Sequence, residues 1–254
     1  MHRSAPLLLL VLLPGCEFFR NAQDTFEGLT NPLVTLGFLV SVQPSNASVD
    51  LEDAPVQEGT GLTVMLADAG SATDIENAPV EGADVACGGV DATEIDAGVY
   101  AIEPGQLTWA DGATWDLDVM IGEDTATARI TLPPAATWTP PTTHPAGADL
   151  VVDLTGQEYD SLFVIVIDAE TGDLTYSNEP ETAKEVYDFT HGDAELTLTV
   201  PGAEAFPSDG IYLVGVAGMR HTGASDLDEM NTALSTLLAG KMIVHPVPVT
   251  PAGS

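Results

Sequence analysis

The side chains able to do chemistry in this 254-residue chain are two cysteines, five histidines and 39 carboxylates, and their spacing decides what each can do. Cys87, in "GADVACGGV", alternates with Ala83 and Val85, which predicts a small buried hydrophobe on the inner face of a strand. A nucleophilic thiolate would need a neighbouring base and an electropositive setting, and so acidic a chain offers little of either. His144, His191, His221 and His245 are scattered beside turn residues or prolines, a pattern of surface histidines rather than a zinc set. The carboxylates are too numerous for any pair to signal acid-base chemistry. "DLED", "DAETGD" and "SDLDE" gather acidic oxygens in loops that could hold Ca²⁺, but none has the spacing of an EF-hand loop, so solvated turns are expected. There is no Gly-x-Ser-x-Gly, His-Glu-x-x-His, glycine-rich phosphate loop or Cys-x-x-Cys. No catalytic residue, metal ligand or cofactor site is expected.

The remaining cysteine, Cys16, ends a different pattern. "MHR" is a short basic start, "APLLLLVLL" an apolar run too short to span a bilayer, and "PGC" places a small residue directly before the cysteine. Leu13-Pro14-Gly15-Cys16 resembles the lipobox of bacterial lipoproteins; Gly15 and Leu13 match that pattern, and Pro14 departs from its usual small or β-branched residue. The resemblance implies a signal peptide at 1–15, a diacylglycerol thioether on Cys16 and an acylated new N-terminus. Glu17 is not the aspartate associated with inner-membrane retention, which points to the outer membrane. A lipidated Cys16 leaves Cys87 a free thiol.

Composition limits the partners. Six Lys+Arg against 39 Asp+Glu give a formal net charge of −33, a field that repels phosphate backbones and excludes nucleic acid as a partner. With 44% hydrophobic residues the chain can nonetheless bury a substantial core.

The elements that must position these residues read as strands. After a tether at 16–31, "PLVTLGFLVSVQP" supplies a first strand, and short strands punctuated by Gly, Asp and Pro follow to residue 132. The clearest pair is "TWDLDVMI" and "TATARITL", in which Trp115, Leu117, Val119 and Ile121 alternate with Asp116, Asp118 and Met120 across a turn at Gly122-Glu123-Asp124. That is an antiparallel hairpin with one face buried. "PPAATWTPPTTHPAG" at 133–147, with five prolines, reads as a stiff linker. Beyond it, "SLFVIVID" is an uninterrupted apolar run expected of a central strand covered on both faces, flanked by "DLVVDLTG", "AELTLTVPG", "GIYLVGVAGM" and "KMIVHPVPV". One stretch changes period: Leu227, Met230, Leu234, Leu237 and Leu238 share a helical face, which predicts one short helix at 226–239 before the last strand.

Residues 32–132 are similar in pattern to the prealbumin-like and immunoglobulin-like modules of exported bacterial proteins, and residues 148–254 to a fibronectin type III or immunoglobulin-like domain. The resemblance implies an all-β chain of two antiparallel sandwiches with a short inserted helix. The function expected is a noncatalytic envelope lipoprotein, held to the membrane by its lipid and presenting binding loops to an envelope protein or glycan. A small secreted hydrolase or a Ca²⁺-dependent binding module is the alternative.

Overall fold

The computed structural model describes residues 33–46, 49, 51, 54, 56–68, 79–179, 189, 195–232 and 234–253. Cys16, the leader, the tether and His191 lie outside the described residues. The strands, in chain order, are β1 (Leu33–Pro44), β2 (Gly59–Asp68), β3 (Asp84–Cys87), β4 (Val90–Asp91), β5 (Thr93–Asp96), β6 (Val99–Leu107), β7 (Thr114–Ile121), β8 (Asp124–Thr131), β9 (His144–Pro145), β10 (Leu150–Asp153), β11 (Ser161–Asp168), β12 (Leu174–Ser177), β13 (Thr197–Val200), β14 (Gly210–His221), β15 (Leu227–Asp228) and β16 (Thr236–Thr250). A helical turn, α1 (Gly202–Ala205), lies between β13 and β14.

A nine-stranded sheet, ordered β12-β11-β14-β16-β1-β2-β6-β5 with β9 beside β16, runs through the molecule and draws strands from both halves of the chain. Its pairings are antiparallel except at the centre, where β1 lies parallel to β16 from Leu36↔Thr236 to Pro44↔Val244, and at β16–β9. A five-stranded sheet, β15-β8-β7-β3-β4, and a two-stranded sheet, β10-β13, complete the fold.

Side-chain alternation shows how the layers stack. Along β16, Leu237 and Ala239 enter the core beneath the five-stranded sheet, while Val247 and Val249, at the same parity, enter the core beneath the two-stranded sheet. Both small sheets therefore cover one face of the large sheet, side by side. The even positions Leu238, Met242 and Val244 point to the opposite face, where Val49, Leu51 and Val56 join them. β11, with Leu162, Val164 and Val166 on one side and Phe163, Ile165 and Ile167 on the other, is buried on both faces, as its unbroken apolar run requires. The chain is all-β, built as two sandwiches that share the large sheet.

The antiparallel hairpin predicted at 114–132 is present, pairing Leu117 with Ala128 and Val119 with Ala126; its turn is shorter than expected, only Gly122 (φ 66°) and Glu123, because Asp124 joins the ladder opposite Ile121. The short helix expected at 226–239 is instead confined to a 3-10 turn at Ala224–Asp226. Leu227–Asp228 then pair with Ala128 and Thr127 of β8, and Thr236 onward belongs to β16. Tertiary pairing overrides the helical spacing here: Leu237 and Leu238 serve cores on opposite faces, which only a period of two allows. Ser235 fixes the entry to β16, its hydroxyl donating to Leu33 O (3.4 Å) and accepting from Thr35 N (3.0 Å).

The proline-rich stretch is docked against the body. Trp109 Nε1 donates to Pro133 O (3.2 Å), and Tyr159 OH donates to Pro134 O (3.2 Å). Gln157 brackets Thr137, accepting from its amide at 2.8 Å and donating to its carbonyl at 2.9 Å. The Trp138 ring meets His245 edge-on with centroids 5.4 Å apart. Prolines keep this stretch out of a ladder until His144–Pro145, which pair with β16 as β9, so side chains of the body hold the residues before them.

Candidate functional site

Among the described residues, a hollowed surface lies on the outer face of the five-stranded sheet. Its inner face carries Val85, Cys87, Leu117, Val119, Ala126, Ala128 and Ile130 into the core, against Leu62, Val64, Leu66 and Ile102 of the large sheet. Alternation then sends Asp84, Ala86, Asp116, Asp118 and Met120 outward. Register places Asp91, Ala86, Asp118 and Thr127 in one row across four strands, and Asp84, Met120 and Thr125 in the next. A hollow of about 490 Å³ opens there, with alanines 83, 86 and 92 among its lining and Asp84, Asp91 and Asp118 at its walls. Met120 is 43% exposed beside it. Among the described residues Arg129 is the cation on this face, and it is committed to Asp116, with Nε–Oδ1 at 2.7 Å and Nη2–Oδ2 at 3.3 Å. Thr127 donates to Asp118 Oδ1 at 3.2 Å.

Two local devices shape the hollow. The β3–β4 turn uses Gly88 and Gly89, both at positive φ (56° and 81°), and a Cβ on Gly88 would press on the Trp115 ring at 3.2 Å. Tyr100, 1% exposed in the core, reaches out with its hydroxyl, donating to Val80 O (2.7 Å) and accepting from Ala83 N (2.9 Å). It thereby fixes the backbone that starts β3. Burial, with Glu94 and Glu81 nearby, holds the Tyr100 pKa above its ordinary value, which keeps the hydroxyl a donor.

Cys87 is fully buried on the inner face under this surface, as its alternation predicts. Desolvation, reinforced by the charges of Asp118 and Asp116, pushes its thiol up to about 12. A thiol so placed is a packing group, not a nucleophile.

The histidines depart from the surface placement the sequence suggests. His144 is 6% exposed, its Nε2 2.8 Å from Ala148 O and its ring 4.8 Å from that of Phe206. His245 is half-buried under Trp138. His221 Nε2 lies 2.8 Å from Ser161 Oγ, a pairing that sequence reading missed because the two residues are 60 positions apart. Ser161 is buried, 5% exposed, and its hydroxyl is spent within the β11–β14 seam rather than offered to a substrate. No group of three or more His, Cys, Asp or Glu able to hold a metal occurs among the described residues. In the turn at 168–173 Asp168 Oδ1 accepts from Glu170 N (2.8 Å) and Thr171 N (3.2 Å), so that oxygen serves the turn.

No family model and no curated protein matches the chain. Solved structures similar to it include a chimeric titin Z1Z2-Z1Z2 tandem functionalised with a GRGDS exogenous peptide from fibronectin. That match has 13% identity and a TM-score of 0.20, covering 84% of this chain and 96% of that one. DIP-gamma IG1+IG2 is similar at 10% identity and a TM-score of 0.21, covering 87% of this chain and 98% of the other. At such scores neither likeness carries an argument; the all-β architecture rests on the strand pairing itself.

Proposed function

We propose that the protein is a noncatalytic lipoprotein of the cell envelope. In this reading residues 1–15 are removed, Cys16 carries the lipid, and the outer face of the five-stranded sheet is presented to an envelope protein or glycan at the outer membrane. The observation that carries the binding role is the alanine-lined hollow walled by Asp84, Asp91 and Asp118 on a sheet face that stands open among the described residues, with Met120 exposed beside it. Its carboxylates favour cationic or hydroxyl-bearing groups and oppose phosphate. Placement in the envelope is supported by Leu13-Pro14-Gly15-Cys16. Three acyl chains exceed the two signals that stable anchoring takes, each buried CH₂ contributing about 0.8 kcal/mol.

Intact-mass measurement of the mature protein tests the anchor: acyl mass on a chain beginning at Cys16 supports it, and a mature N-terminus elsewhere without acyl mass defeats it. Cys16→Ser should leave the precursor uncut or release the protein from membranes. For the binding face, Asp84→Asn, Asp91→Asn and Asp118→Asn combined should abolish retention of solubilised envelope partners while leaving the melting temperature nearly unchanged; equal retention would refute the assignment.

A further inference from the structure

We propose that segment 133–140 is an acid-opened strap, docked across the seam between the two small sheets while the His245 ring is neutral and released when that ring takes up a proton. This inference does not depend on the binding or anchoring reading above.

The seam is defined by β16. Between Ala239, in one core, and Val247, in the other, the same face of that strand presents Lys241, Ile243 and His245, all half-buried. Lys241 is paired with Asp111 at 3.3 Å. The strap ends its docked run on His245, whose ring meets Trp138 with planes at 79°. Its other holds are Trp109, Tyr159 and Gln157, and these are neutral groups.

The electrostatic setting of His245 is unusual for so acidic a chain. Residues 133–140 carry no charge, and the β14 partner of His245 is Val214, flanked on that face by Tyr212 and Val216. β1 ends beside it at Pro44, with Ser45 N donating to Val244 O. Lys241, four residues back, is the nearest charge β16 itself contributes, and the charges at the far end of the strap, Arg220 with Glu158 and Asp160, gather around Tyr159. Burial alone acts on His245, and it lowers the pKa. The docked state thus favours the neutral imidazole. Its contribution is complete above the ordinary value of 6.5 and is lost as pH falls through the lower folded value. Two forces oppose release: Ala136 and Trp138 pack against the core beneath the two-stranded sheet, and an imidazolium over the indole face would regain cation–π attraction of about 0.5–2 kcal/mol. The edge-on contact, and the lack of a carboxylate against His245 among the described residues, favour release.

Hydrogen exchange of the full mature chain decides between the two. Amides of residues 135–139, read by mass spectrometry at pH 7.5 and pH 5.5 and corrected for intrinsic exchange, should lose protection severalfold in acid. His245→Phe, with an unchanged far-UV spectrum, should keep the protection at both pH values. An equal acid response in His245→Phe, or tighter protection in acid, overturns the proposal. Should that variant fold poorly, the wild-type His245 ring protons decide by NMR: a titration midpoint below that of free histidine supports the strap, and one at or above it refutes it. Trp138→Leu should expose the same amides at both pH values and erase their pH dependence; retained dependence also refutes it.

Discussion

Removing one oxygen atom, by Tyr100→Phe, tests whether the candidate binding surface is built from the core outward. The ring stays buried, so packing is unchanged, and the hydrogen bonds lost include those of 2.7 Å to Val80 O and 2.9 Å from Ala83 N. Each is worth about 1 kcal/mol net, and part-buried backbone groups left without a partner raise the sum to about 2–3 kcal/mol. In a domain of this size that lowers the melting temperature by about 4–12 °C. Calorimetry reads the loss, and exchange at the Ala83 amide should quicken more than exchange in β11. The same substitution should remove an alkaline effect. Because the folded state raises the Tyr100 pKa above 10.0, its contribution is present below that pH and is lost as pH climbs through the higher folded value. Tyr212→Phe is the control, since its contacts with Ser208 are longer, 3.2 Å and 3.4 Å, and should cost less. A melting temperature within about 1 °C of wild type, with Ala83 exchange unchanged, would show that β3 is held by something else.

Cys87 should resist iodoacetamide at pH 8 in the folded protein and react fully in denaturant; its raised value means the thiol stabilises the fold below pH 9.0 and that this contribution fades toward about 12. Gly218→Ala should destabilise by about 1–3 kcal/mol, because the new methyl collides with the Tyr159 ring, and should loosen the strap through the lost Tyr159–Pro134 bond, seen as faster exchange at 135–139. NaCl should raise the melting temperature mostly below about 0.15 M, where the Debye length has already fallen to about 8 Å. Millimolar CaCl₂ should add little beyond matched ionic strength. A large EDTA-reversible calcium shift would make the acidic turns a ligand site instead.

What the sequence disclosed depended on how local the determining contact was. The β7–β8 hairpin is two alternating runs and a turn, so its antiparallel pairing and its acid-bearing outer face were readable, though not that Asp124 joins the ladder opposite Ile121, and the same alternation placed Cys87 inside. β11 declared itself by an apolar run with no polar side. The hollow was hidden, because it depends on Asp91 arriving opposite Ala86 after the glycine turn. The stretch 226–239 misled because leucines spaced for a helix face also suit a strand that feeds two cores. The proline-rich segment was read as a linker from composition alone; the Trp109, Gln157 and Tyr159 groups that dock it come from other parts of the chain.

The least legible feature also ties the fold to the proposed anchor. β1 begins at Leu33, just after the proposed tether, yet it lies in the middle of the large sheet, paired with β2 from Leu33↔Asp68 to Val42↔Gly59 and with β16 from Leu36 to Pro44. Nothing local specifies the second pairing, since its partners are 200 residues apart, and closing so long a loop is a cost met only once other strands are in place. Had the first strand been an edge, tension on a lipidated N-terminus would peel it away one hydrogen bond at a time. Held on both sides, β1 can leave only by shearing two ladders at once, so the barrier to forced unfolding includes most of the sheet's centre. The strand nearest the proposed membrane attachment is thus paired along both edges, so force applied through the proposed lipid would load the centre of the large sheet rather than an edge strand.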